Sequence, residues 1–207
     1  MASTASPYGF KAVNELGGLP YAGSTRTFLI NPAGYSTNIY NGTLVFVNSS
    51  GYLQIVTATG ADATTNAFPA GSSSLTGAVG VFVGCSYYNT QGQLIFSQYY
   101  PSGTTGVVQA FVIDDDRAVF QVQANGSVGQ AGLGANVYLA NAQSTSTGST
   151  TTGNSNIAVS SSTETTTAAF RIVGFVNSTT SQVGDAYTDL LVKFNPGFHT
   201  YSSAVGV

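Results

Sequence analysis

Short runs of β-branched and aromatic residues, each closed by a turn signal, recur along most of the chain and leave few folds open. TRTFLIN (25–31), TLVFV (43–47) and YLQIV (52–56) come first. AVGVFVG (78–84), QLIFSQYY (93–100), VVQAFVI (107–113) and AVFQVQ (118–123) follow, and YTDLLVKFN (187–195) closes the series. Runs of this length and composition are strands. NSSG, Asn48 to Gly51, is a hairpin-like turn, and NTQG and PSGTTG join the next pairs with ordinary turn chemistry. In AVFQVQ, Val119, Gln121 and Gln123 face one way and Phe120 and Val122 the other, the mixed pattern of a half-buried strand. Helical patterning is confined to SVGQAGLGANVYLA (127–140), where Gly129, Gly132 and Gly134 limit any helix to a short one. No repeat of fixed period is visible. The expectation is an all-β fold, an antiparallel sandwich or barrel with at most one short helix.

The 207 residues suit one large β domain with an arm and long loops. Residues 1–22 show no sustained period and are punctuated by Pro7, Gly9, Gly17, Gly18 and Pro20. Tyr8, Phe10, Val13 and Leu16 are nevertheless too apolar for a solvated tail. Two readings stand: an extended N-terminal arm docked on a neighbour, or one wrapped on its own domain. Residues 23–195 form the β domain. Within it 143–167 is a long Ser/Thr-rich loop enclosing the strand-like NIAVS, and AAFRIVGFV (168–176) follows at once. Residues 196–207 are an irregular C-terminal tail.

Charged residues make up only 6% of the chain, against roughly 25% in an ordinary soluble domain. With a net charge of −3, copies of the chain repel one another little, so association into an assembly is expected. The five basic residues, Lys11, Arg26, Arg117, Arg171 and Lys193, are scattered, which argues against a nucleic-acid partner. No apolar run approaches the roughly 20 residues of a membrane span, so no membrane partner is expected. The start MASTASPYGFKAV lacks the pattern of a secretion signal, and synthesis in a cytoplasm is expected.

Catalytic chemistry finds little to work with. Cys85 is the single cysteine and reads as a small buried, inert residue; His199 is the single histidine and reads as a loop or interface residue. One of each cannot alone hold zinc, and nothing flanking either resembles a nucleophile motif. No cofactor is expected. The carboxylate pairs Asp185 with Asp189, and Asp62 with Glu164, have no sequence reason to meet. Asp114, Asp115 and Asp116 lack the spacing and closing Glu of a calcium loop. At a turn all three reach water, cap backbone N–H groups and pair with Arg117, so they read as a corner between strands; a surface cation between subunits is the residual alternative. The four Asn-X-Ser/Thr triplets, NGT (41–43), NSS (48–50), NGS (125–127) and NST (177–179), are chance matches in so Asn- and Ser-rich a chain.

Several stretches in succession resemble a family of tailed-bacteriophage structural proteins encoded beside the major capsid protein. They are SPYGFKAVNELGG, STRTFLI, GVFVGCSYYNTQGQLIFSQYYPSGT, AFVIDDDRAVFQVQANGS, FRIVGFV and GDAYTDLLVKFNPGFHTY. The resemblance covers nearly the whole chain, in order and spacing. It implies a capsid cement or decoration protein with a jelly-roll-like or related β-sandwich, bound outside the shell as a homodimer or homotrimer with the major capsid protein as partner. No catalytic residues come with it. Candidate anchors at the joints are Tyr8 and Phe10 in the arm and Phe198 and Tyr201 in the tail, because Tyr and Phe give large contact area for little side-chain entropy. On this reading, removal of residues 1–16 abolishes shell binding and leaves the domain folded. A phage fibre or cell-surface glycan-binding module is the alternative.

Overall fold

The computed structural model describes residues 3–56, 77–143, 146–165 and 168–202. Two antiparallel sheets pack face to face as a β-sandwich. The strands are β1 (Lys11–Glu15), β2 (Arg26–Ile30), β3 (Leu44–Val47), β4 (Leu53–Ile55), β5 (Gly80–Tyr88), β6 (Leu94–Ser97), β7 (Val108–Ile113), β8 (Ala118–Gln123), β9 (Asn136–Val137), β10 (Phe170–Phe175) and β11 (Asp189–Phe194). The first sheet has the order β1-β8-β11-β10-β9; the second has the order β2-β7-β5-β3-β4, with β6 also paired to β5. β1 pairs with β8 in one sheet and β2 with β7 in the other. These two pairs are nested in sequence, the outer one in the first sheet and the inner one in the second. The chain crosses between the sheets from β7 to β8 at Asp114–Arg117, so the aspartate triplet is a corner.

The inner faces of the two sheets enclose the main core. Leu44, Phe46, Val81 and Ile113 from the second sheet meet Phe120, Val122, Phe170, Ile172, Leu190 and Phe194 from the first. The second sheet also buries its other face. It curls until β2 approaches β4, around a second core that includes Val45, Leu53, Ile55, Phe82, Cys85, Tyr100, Val108, Ala110 and Val112. β3 is therefore buried on both faces, which is why TLVFV is a continuous apolar run and not an alternating one. A bulge in β5, between Phe82 and Gly84, assists the curl. It also resets the side-chain parity: Phe82 and Cys85, three positions apart, share the second core, while Ser86 and Tyr88 lie on the same face as Val81. Gly80 is required at the start of this strand, because its φ is 156° and a Cβ there would collide with the Ile113 carbonyl oxygen.

Residues 3–15 do not form a free arm. β1 is an edge strand of the first sheet, and Phe10, 1% exposed, stacks on Phe170 at 4.9 Å and meets Phe120 edge-on at 6.2 Å. Ser6 N–H donates to Gln123 Oε1 at 2.8 Å, and Phe10 N–H to Gly42 O at 3.0 Å. The described part of the tail is also docked: Phe198 is buried in the main core, and Ala78 N–H donates to the Phe198 carbonyl at 3.0 Å. The helix candidate at 127–140 yields one 3-10 turn, Gln130–Gly132, and then the short strand β9. NIAVS forms no strand, although Val159 bridges both Ala124 and Leu139 and Ile157 joins the main core. From the same Ser/Thr-rich region, the buried Gln143 side chain accepts from Leu44 N–H at 2.8 Å. It donates to Leu44 O at 3.0 Å and Val56 O at 2.7 Å, acting as a substitute strand along β3.

Candidate functional site

The second sheet extends past the area that the first sheet covers, and the uncovered part of that face is apolar. Pairing places Leu29 beside Gln109, Gln109 beside Ser86, and Ser86 beside Phe96 in one row across β2, β7, β5 and β6. Tyr88 and Leu94 lie in the next row, with Val107 and Phe111 on the same face of the β7 segment. Leu29, Tyr88, Leu94, Phe96 and Val107 are between 47% and 72% exposed, and Phe96 is the most open. At roughly 150–250 Å² for a large side chain, their open fractions amount to about 500 Å² of apolar surface, in the range where a patch marks an interaction site. A groove of about 230 Å³ runs between Tyr88, Leu94, Phe96, Val107 and Phe111. No charged residue lines it.

A second, polar concavity of about 410 Å³ lies where the N-terminal segment crosses the first sheet. Tyr8 OH donates to Asp189 Oδ1 at 3.0 Å, and Lys11 Nζ sits 4.5 Å above the Tyr8 ring. Burial first, and then the Asp189 carboxylate, push the Tyr8 phenol above the ordinary tyrosine range. Gln123 is committed inward, accepting from Ser6 N–H and donating to Thr4 O at 3.2 Å. This concavity ties the segment down with groups that are already hydrogen-bonded.

The four anchors expected from sequence divide in the structure. Phe10 and Phe198 are core residues and are withdrawn as surface anchors; their ring area is spent within their own domain. Tyr8 is half-buried in the polar concavity. Tyr201 is half exposed, accepts from Arg26 Nη1 at 2.7 Å and packs under the guanidinium at 5.1 Å. Arg26 also forms an ion pair with Asp114 at 2.8 Å. The expected pairing of the triplet with Arg117 takes another form: Asp115 Oδ1 accepts from the Arg117 backbone N–H at 2.8 Å. Among the described residues no group of three His, Cys, Asp or Glu is placed to hold a metal ion.

Cys85 is buried, and burial pushes its thiol up to about 12, so at neutral pH it carries no thiolate for nucleophilic chemistry. His199 lies outside the strands, between β11 and the 3-10 turn Thr200–Ser202, but it is buried: it is 1% exposed and meets Phe194 edge-on at 5.3 Å. Burial lowers its pKa, against the opposing pull of Asp116, Asp114 and Asp115. Asp185 and Asp189 are engaged separately, Asp185 Oδ2 accepting from Gln182 N–H at 2.9 Å. Asp62 lies outside the described residues.

The platform on the second sheet is not legible from sequence, because simple alternation along β5 would put Tyr88 on the Phe82 face, and the bulge reverses this. The available signal was LIF within QLIFSQYY, an alternating pair of large apolar residues in a short run flanked by Gln on both sides. Comparison with protein-family models, curated proteins and solved structures gives no significant match to this chain. No helix of the described residues is long and apolar enough to cross a membrane.

Proposed function

We propose that this chain is a structural protein of tailed-bacteriophage virions. It binds the outer surface of the major capsid shell and stabilises the shell by bridging neighbouring subunits. The observation that carries the reading is the uncharged apolar platform of Leu29, Tyr88, Leu94, Phe96 and Val107 on one face of the second sheet. The resemblance of nearly the whole chain to that family supports it. So does the scarcity of charge, which suits a molecule packed among many neighbours. The platform replaces Phe10 and Phe198 as the shell-contacting surface. Binding only to the assembled shell shifts shell stability by mass action, and shell symmetry repeats the contact many times.

The test is copy number in purified particles, measured by quantitative mass spectrometry against the major shell protein. A ratio near one-half to one supports a shell-wide cement role. A few copies per particle would indicate a fibre or vertex protein, and absence from particles would overturn the structural reading.

A further inference from the structure

We infer that two copies of this chain join by antiparallel pairing of β6 with β6, fusing their second sheets into one continuous sheet with a doubled platform. β6 is held by β5 along one side only, through Leu94↔Tyr88 to Ser97↔Cys85. Among the described residues, no strand and no backbone hydrogen bond reaches its outer side. Natural edge strands are protected by charges, proline, bulges or cover. β6 has the sequence LIFS and an unbroken register with β5, so it has none of the first three. Three of the other edges are protected. β1 is capped where Asn14 bridges Pro20, β9 where Asn136 bridges Glu164, and β2 carries the Arg26–Asp114 ion pair.

A second copy fits this edge for geometric reasons. A two-fold axis normal to the sheet reverses strand direction and keeps the same face upward, so β6 meets β6 antiparallel with both platforms on one side. Side-chain alternation restricts the pairing to registers centred on Ile95 or on Phe96; a one-residue slip would set opposed residues on opposite faces. Centred on Ile95, Leu94 faces the other copy's Phe96; centred on Phe96, the two Phe96 face each other and Leu94 faces Gln98, so either register partly covers Phe96, the most exposed large apolar side chain among the described residues. No charge on β6 opposes the approach.

Area points the same way. One platform, at about 500 Å², falls short of the roughly 800 Å² per partner of a stable interface, and joining two gives a larger continuous apolar face, less the parts of Leu94 and Phe96 that the junction covers. The use of the joined platform rests on the shell-binding reading; the pairing of β6 does not.

The test uses the full chain in solution, by sedimentation equilibrium at micromolar concentration. The wild type is expected to be a dimer. Phe96→Lys, at an exposed position, is expected to weaken association by at least about tenfold with an unchanged far-ultraviolet circular dichroism spectrum. Leu29→Lys, on the far side of the platform, is expected to leave the dimer intact and to weaken binding to purified shells. The double variant Leu94→Cys, Phe96→Cys covers both registers and is expected to form a disulfide-linked dimer on mild oxidation. A monomeric wild type, a Phe96→Lys variant that dimerises normally, or a Leu29→Lys variant that is monomeric would each overturn β6 pairing. None of these results bears on copy number in particles, so the two readings fail separately.

Discussion

Replacing Gln143 by Leu removes a buried side chain that substitutes for a strand, and the cost follows from its three bonds. Leu44 N–H loses its acceptor, and Val56 C=O loses a donor at 2.7 Å. Leu44 C=O keeps a partner, because Val56 N–H also donates to it at 3.0 Å. Two backbone groups are thus left short in the core, at about 1–3 kcal/mol each. Leu is close to Gln in volume and opens little cavity, and burying it in place of an amide returns about 1 kcal/mol. The net loss is about 1–5 kcal/mol, a large part of the roughly 5–15 kcal/mol that holds a domain together. Urea denaturation measures it, followed by circular dichroism or tyrosine fluorescence since the chain has no tryptophan. The midpoint should fall at unchanged slope. Gln143→Glu keeps the acceptor but loses both donated bonds and buries a charge, so it should be worse. A Gln143→Leu variant within about 1 kcal/mol of wild type would refute the role given to this residue.

Phe10→Ala should cost about 3–5 kcal/mol by the same assay, since Phe10 is buried against Phe170 and Phe120. For the same reason deletion of residues 1–16, which removes both Phe10 and β1, should abolish cooperative unfolding; a truncated protein that still unfolds cooperatively would restore the free arm. His199 has a folded pKa below its unfolded value, so the unfolded chain takes up its proton first as pH falls. Stability should therefore decline as pH drops below about 6.5, and His199→Gln should flatten that part of a melting-temperature profile measured from pH 7.5 to 5.5. Cys85 should react with a thiol reagent only at the rate at which the domain opens, so its modification should accelerate with sub-denaturing urea.

Strand content was legible wherever a run was bounded by its own turn. The β3–β4 hairpin around Asn48–Gly51 has Val47 opposite Leu53, as the turn residues require. The corner at Asp114–Arg117 was legible because consecutive carboxylates cannot all point into a core. Residues 143–167 were not, because Ser and Thr carry no periodic apolar signal; their described part is held by backbone bridges and a few buried apolar side chains such as Ile157. The ends misled for a related reason. Gly and Pro around Phe10 and Phe198 suggest loops, and only the finished sandwich shows the cavities those two rings fill. The platform stayed hidden behind one extra residue in β5, which has no marker in sequence beyond Gly84.

The nested pairing has a kinetic consequence. β1, at residues 11–15, takes its partner from residues 118–121, and that partner's other neighbour, β11, ends at Phe194. At about 5–20 residues per second, ribosomal synthesis leaves Phe10 and β1 waiting roughly ten to forty seconds before the first sheet can close. Such long-range pairing also folds slowly once the chain is complete, in milliseconds to seconds for comparable β topologies. During that interval apolar strands are open with almost no charge to keep neighbouring nascent chains apart. Yield in a cell should therefore depend more on the rate of synthesis and on chaperone supply than on the stability of the finished sandwich.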